Sequence, residues 1–193
     1  VRGCSDQGFE SLPGQLDKER SLAAEAGLRV DLFGMLRGGV SYAFTYLDAP
    51  LLRRLVPGDA FQRCGNQLLP LTRRDNGEHA RVHSLEADLR LSLGAHVSLF
   101  AWVSWAHGTV KLDADDSSPL GRVPPLQGLA GVRYESRGRY FAELAVRWAL
   151  RQDRLAPLDR SDARICADAA AGCQGPSGYA LVRLRGGVGA DPG

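Results

Sequence analysis

Two histidines, His79 and His83, stand four residues apart, and three aspartates, Asp113, Asp115 and Asp116, crowd a short stretch further on. Imidazole nitrogens bind zinc and related metals, and clustered carboxylates bind calcium. A zinc site needs at least a third protein ligand, and none is indicated near the histidines. A calcium loop needs a turn glycine and a closing glutamate, and both are missing here. The histidines therefore read as a structural pair on one strand face, and the aspartates as a solvated loop. Ser, His and Asp all occur, but no Gly-x-Ser-x-Gly nucleophile elbow is present. The glycine runs from Gly34 to Gly39 and from Gly186 to Gly189 lack the strand–glycine–helix setting that cradles phosphate. Arg53-Arg54 and Arg73-Arg74 could draw anionic ligands, although exposed, solvated arginines are the commoner case. No catalytic group, resident metal or cofactor is expected, so the sequence does not read as an enzyme.

Four cysteines occur, Cys4, Cys64, Cys166 and Cys173, and no two form a Cys-x-x-Cys pair. Zinc and thioredoxin-type chemistry are thus poorly supported. An even count in loops fits disulfides in an oxidising compartment; four unrelated thiols is the alternative. Apolar residues make up 44% and charged residues 24% of the 193, which is ordinary for a folded chain and argues against disorder. The formal charge of +2, with no long run of one sign, gives no reason to expect nucleic acid. No run of ~18 apolar residues exists, so no transmembrane helix is expected, and Val1-Arg2-Gly3-Cys4-Ser5-Asp6 lacks a signal-peptide pattern. The start without Met reads as a processed product or a fragment.

The elements that carry these residues alternate with period 2, the signature of strands with one apolar and one polar face. In residues 78–93, Leu85, Ala87, Leu89, Leu91 and Leu93 alternate with Ser84, Glu86, Asp88, Arg90 and Ser92. Similar patterns place strands at about 21–33, 36–47, 97–108, 125–135, 139–151 and 178–188, seven in all. The intervening lengths are 2, 30, 3, 16, 3 and 26 residues. The expected fold is all-β: an antiparallel up-and-down meander of about seven long strands, part of a transmembrane β-barrel. Such barrels have short turns on one side of the membrane and long loops on the other, whereas a soluble meander has no reason to sort its loops. The strands exceed the ~5–6 residues usual in globular proteins. Aromatics flank them, with Phe33, Tyr134 and Tyr140 near the short turns and Tyr46, Trp105 and Trp148 toward the long loops, as in interfacial girdles. Glu86, Asp88, Arg90, Arg133, Glu143, Arg147, Arg183 and Arg185 would then line a lumen. All four cysteines fall on the long-loop side. The expected pairs are Cys166 with Cys173 inside one loop and Cys4 with Cys64 between loops.

Several stretches carry a likeness to a family. Glu25-Ala26-Gly27-Leu28-Arg29 is similar to a Glu-x-Gly-x-(Lys/Arg) strand. Asn76 through Glu86 is similar to an Asn-x-Gly-x-Ala-x-x-x-Gly-Val-Glu stretch, with Ser84 in place of Gly and the Ala spacing shorter by one. Pro119 through Pro125, Gly131-Val132-Arg133-Tyr134 and Gly178-Tyr179 also fit. In order and spacing over residues 20–188 they resemble the C-terminal half of the barrel of TonB-dependent outer-membrane receptors. The resemblance implies a partial barrel domain over residues 1–193, from a wide, plugged barrel of the 22-stranded class. It also implies an outer-membrane location, contact with outer-membrane lipid, and import of a scarce small molecule, such as an iron–siderophore or cobalamin. The energy would come from the TonB system through a plug. This sequence shows no plug, no TonB-contacting segment and no closing strand ending in an aromatic, so ligand and coupling residues are not carried over. The alternatives are a soluble periplasmic or secreted β-sandwich binding module, or a small structural outer-membrane barrel.

Overall fold

A computed structural model of the chain describes residues 2–5, 8–10, 16–56, 61–64, 67–113, 116–136, 140–160, 162, 164–166 and 172–188, with side chains from residue 16 onward except those of 61–70. The chain forms strands β1 (Arg2–Ser5), β2 (Gly8–Glu10), β3 (Arg20–Leu32), β4 (Leu36–Asp48), β5 (Leu51–Leu55), β6 (Phe61–Cys64) and β7 (Gln67–Asn76). It continues with β8 (His79–Leu93), β9 (Val97–Asp113), β10 (Asp116–Pro119), β11 (Gln127–Ser136) and β12 (Tyr140–Ala149), one helical turn α1 (Pro157–Arg160), and β13 (Tyr179–Val188).

Seven strands make one antiparallel wall in the order β13-β12-β11-β9-β8-β4-β3, with β10 paired to β9. These are the seven expected strands, with no end moved by more than five residues. Period-2 alternation forces each row of cross-strand neighbours onto one face. One such row runs Leu32, Leu36, Leu91, Leu99, Val132, Leu144, Leu184, and another runs Val30, Gly38, Leu89, Ala101, Ala130, Val146, Val182. Glu86, Asp88, Arg90, Arg133, Glu143, Arg147, Arg183 and Arg185 belong to the opposite parity.

The burial of this wall is inverted relative to a soluble sheet. Leu22, Leu28, Leu85, Leu89, Leu99, Val132, Leu144 and Val182 are all exposed, and all lie on the apolar face. The buried apolar side chains of the wall, Ala80, Val110, Ala145 and Ala149, lie on the polar face. The other buried groups, Pro50, Thr72, Leu155, Ala156 and Cys166, sit in the connections at one end. A β-sandwich would cover its apolar face with a second sheet. Here that face is bare.

The short turns shift slightly from expectation. The first centres on Phe33 and Gly34, not Gly34 and Met35, with φ of 55° and 65° and a Met35 N–H to Leu32 carbonyl bond of 3.0 Å. The connection is a three-residue loop, Phe33 to Met35, between the paired Leu32 and Leu36, and Phe33 is 95% exposed. Gly94, with φ of 70°, begins the second turn. Most of the third expected turn, 136–138, lies outside the described residues.

The long connections differ more. Residues 48–77 were expected to be irregular, but the β4–β8 ladder continues through them. The Ala49 N–H bonds the Glu78 carbonyl, the Gly77 N–H bonds the Pro50 carbonyl, and β5 then pairs β7 from Leu51–Asn76 to Leu55–Thr72. Ala49, with φ of 51°, and Pro50 break the regular ladder, so the continuation belongs to a separate sheet of order β1-β2-β7-β5, with β6 on β7. Proline and glycine mark this kink, and read alone they resemble a loop. Likewise β9 runs on to Asp113 and folds back as β10 within the expected loop at 109–124.

Glycine opposite an aromatic recurs in the wall. A Cβ on Gly131 would sit 2.5 Å from Phe100 Cζ and 2.7 Å from the Leu144 carbonyl oxygen, so the ring covers bare backbone. Gly131→Val should therefore cost about 1–3 kcal/mol by overpacking. Loss of the folded, fast-migrating band at a lower temperature in semi-native electrophoresis is the expected readout; an unchanged transition would contradict this packing.

Candidate functional site

The polar face of the wall holds an ion-pair network at β11–β12–β13. Glu143 is 8% exposed and accepts from Arg183 at 3.0 Å, while Arg133 Nη1 lies 3.6 Å away. Arg133 also reaches Glu135 at 3.1 Å and stacks its guanidinium 4.2 Å over the Phe141 ring. The register sets Arg133 directly opposite Glu143, whereas Arg183, opposite Ala145, reaches it diagonally past Arg185, the direct partner on β13. A carboxylate that is nearly dry needs such partners. Glu86, Asp88 and Arg90 stand on the same face in β8. Glu86 accepts a long bond from Ser104 at 3.4 Å, and Asp88 Oδ1 lies near the bare backbone of Gly39, beside Arg29. Arg147 stands on this face opposite Leu129 and Leu181. Glu25, Arg29, Asp31 and Arg37 extend the polar face into β3 and β4, where Arg37 bonds Asp31 at 2.9 Å. Their alternation was visible in the sequence, though they were not among the expected lumen residues. Phe100 and Trp102 also lie on this face, which is why β9 reads as less polar there.

At the end with the long connections, β5, β10 and α1 surround a cavity of about 480 Å3. Its walls combine leucines of β5 with Arg53, Arg54, Arg122, Asp116 and Asp159. That volume suits a small ligand. Arg54 is engaged by Asp113 at 2.9 Å and Asp75 at 3.9 Å, and Arg73 by Asp75 at 2.8 Å. The arginine pairs therefore hold the mouth together as cross-strand neighbours on β5 and β7. Asp113 serves this ion pair, Asp116 lines the cavity, and Asp115 lies outside the described residues. Among the described residues no group of three or more His, Cys, Asp or Glu side chains could hold a metal. His79 stacks on Tyr46 and His83 packs on Phe44, each with its own aromatic partner.

A disulfide joins Cys166 to Cys173 within the connection between β12 and β13. The backbones of Cys4 in β1 and Cys64 in β6 lie in the smaller sheet; their side chains, and so the expected Cys4–Cys64 pair, fall outside the described residues. The Asp159 carboxylate, buried in α1, accepts from the Arg122 N–H at 3.2 Å and ties this connection to the one before β11. Asp162 accepts from the Arg164 N–H, Nε and Nη2 at 3.0, 3.0 and 2.7 Å. These bonds, led by the Arg164 side chain, hold its carboxyl below the usual range against the opposing effect of burial.

The arrangement is that of an inside-out antiparallel wall: one face bare, with an uncharged apolar band, the other carrying ion pairs around the buried Glu143, with structured connections at one end. That is the fold of a section of a β-barrel wall. The fold comparison agrees. The chain superposes on the copper transporter OprC with a TM-score of 0.67 at 19% identity, over 89% of this chain and 23% of that one. It superposes on the FrpB iron transporter from Neisseria meningitidis, F3-3 variant, with a TM-score of 0.57 at 15% identity, over 93% of this chain and 26% of that one. The chain thus spans about a quarter of the length of these structures. No family model matches the sequence, and no curated protein matches it by sequence.

Two outcomes follow from these contacts. Glu143→Ala leaves Arg133 and Arg183 facing each other without their shared anion, and should cost about 1–3 kcal/mol, as expected for charged hydrogen bonds; chemical denaturation in detergent measures it. For Asp162 the folded-state pKa is lowered, so its contribution is complete above the ordinary carboxylate range and is lost as pH falls through the lowered value. Proteolytic nicking between residues 152 and 178 should increase on acidification, and Asp162→Asn should remove that pH dependence.

Proposed function

We propose that this chain is a stretch of barrel wall, with its mouth connections, from a TonB-dependent outer-membrane transporter for a scarce nutrient, and that residues 1–193 form a partial barrel domain. The observation that carries this is the bare apolar face. From Leu22 to Leu32, Leu36 to Tyr46, Leu85 to Leu93, Val97 to Trp105, Gly128 to Tyr134, Tyr140 to Trp148 and Ala180 to Val188, its parity holds no Asp, Glu, Lys or Arg. Water penalises such a face, and lipid favours it. Tyr140 and Trp148 bracket the band on one strand, eight residues apart. At ~3.3 Å per residue and a tilt of ~40° they stand roughly 20 Å apart in depth, close to the ~25 Å apolar band of outer-membrane barrels.

The polar face then lines the lumen, where Glu86, Asp88, Arg90, Arg133, Glu143, Arg147, Arg183 and Arg185 meet water or a plug. The edges β3 and β13 present ladder groups that lipid cannot satisfy, and further strands of the same barrel supply their partners. The mouth cavity faces the outside, where a ligand arrives. The copper and iron transport of the structural neighbours supports a metal or metal complex as cargo. Iron–siderophore and cobalamin follow from the sequence resemblance, and the cargo is substrate, with no cofactor or enzymatic step. Energy would come from TonB through a plug elsewhere in the protein, and no nucleic-acid partner is expected.

An antibody to residues 152–177 tests the reading in fractionated source cells. A band well above 20.8 kDa in the outer membrane is expected. A band of that size in a soluble fraction would replace the barrel with a soluble β module.

A further inference from the structure

The apolar face ends abruptly toward the mouth. Beyond Tyr42 and Trp105, the same parity carries Phe44, Tyr46, His79, Arg81, His83, His107 and Lys111. Each imidazole is held by an aromatic or a hydrogen bond. His79 stacks on Tyr46 with centroids 5.7 Å apart, and His107 stacks on Trp105 at 5.8 Å. His83 lies 5.0 Å from Phe44, and its Nδ1 is 2.7 Å from Tyr42 Oη. Arg154, from the connection after β12, reaches onto this face and donates to His107 Nδ1 at 2.6 Å. A guanidinium only donates, so His107 carries its proton on Nε2, which has no partner among the described residues.

Beside Trp105 and His107 the wall is notched, because β11 begins only at Gln127. The notch is a cavity of about 290 Å3, lined by Pro124, Pro125 and Leu126 and by three charged residues, Arg151, Asp153 and Arg154. Lys111 is neutralised by Glu78 at 3.2 Å. Arg81 is exposed, and it has no anionic partner among the described residues although Glu78 and Asp48 are close in sequence or register. Arg81 pairs with Thr109, two residues from His107, so a cation without an anionic partner among the described residues, Arg154 at the notch and an imidazole N–H share one face just beyond the apolar band.

We propose that this belt binds the phosphorylated headgroup of an outer-leaflet lipid, with Arg81, Arg154 and His107 Nε2 as donors and Trp105 against the acyl chains. The proposal rests on the membrane reading of the apolar face. Phosphate is favoured because guanidinium forks match its oxygens and basic residues at a membrane surface attract anionic lipids. Tryptophan and tyrosine settle at the same interface.

The test uses the full-length protein that contains this chain, purified in a neutral detergent and studied by native mass spectrometry. The probes are phosphatidic acid, the matching diacylglycerol, and inorganic phosphate. Phosphatidic acid should bind the wild type and diacylglycerol should not. The double variant Arg81→Ala/Arg154→Ala should lose about thirty-fold in affinity, about five-fold or more per cation removed. Arg147→Ala/Arg185→Ala, of equal charge change but on the polar face, should bind like the wild type and shows that the loss is local. Equal binding of phosphatidic acid and diacylglycerol would overturn the proposal while leaving the membrane reading intact. So would an unaffected double variant, or displacement by millimolar inorganic phosphate, which would mark a free-anion site. A protein that stays soluble without detergent and binds no lipid would instead overturn the membrane reading itself.

Discussion

Everything in this structure depends on an unbroken antiparallel ladder. In a medium without water, each backbone N–H and C=O must find its partner within the protein. The wall meets that demand by pairing every neighbour in sequence order, β3 to β4 to β8 to β9 to β11 to β12 to β13, with no crossover. Long, continuous registers, such as the fifteen-residue β8 against β9, give each strand enough length to cross an apolar layer at a tilt. Between the two edge strands the backbone is thus satisfied by pairing alone, and the side chains are released to serve the surroundings of each face.

What those surroundings are is decided by the division of charge between the faces. The apolar face has nothing to neutralise and no cover. The polar face has a nearly buried glutamate held between arginines, and its buried apolar groups are mostly alanines. In a soluble sheet these roles would be reversed, because exposing leucine and valine rows to water costs about 25 cal/mol for each Å2.

The mouth follows a different economy. Its stability comes from cross-links between connections: Arg54 with Asp113 and Asp75, Asp159 with the Arg122 backbone, and the Cys166–Cys173 disulfide. After the Ala49–Pro50 kink the β4–β8 hairpin extends beyond the wall as β5 and β7, and β5 lines one cavity together with the buried Val110 of β9. Connections cross-linked in this way can hold polar walls around a cavity at a lower ordering cost on ligand binding than an unlinked loop.

The sequence by itself determined the strands of the wall and the parity of each residue. Period-2 alternation survives any tertiary arrangement, so Glu86, Asp88 and Arg90 had to share a face, and so did Leu85, Leu89 and Leu93. Short turns also declared themselves through glycine. Alternation is symmetric between an apolar face turned inward and one turned outward, however, so sequence needed loop lengths and aromatic placement to choose, whereas exposure shows it directly. Only the tertiary structure decided that residues 48–77 are a kinked continuation of a hairpin, because proline and glycine look alike in a kink and in a loop. Only cross-strand register, which couples residues tens of positions apart, could bring Arg133 and Arg183 onto Glu143, or Arg154 onto His107. Such pairs leave no mark in local spacing, because the distance that matters is set by pairing across the sheet and not along the chain.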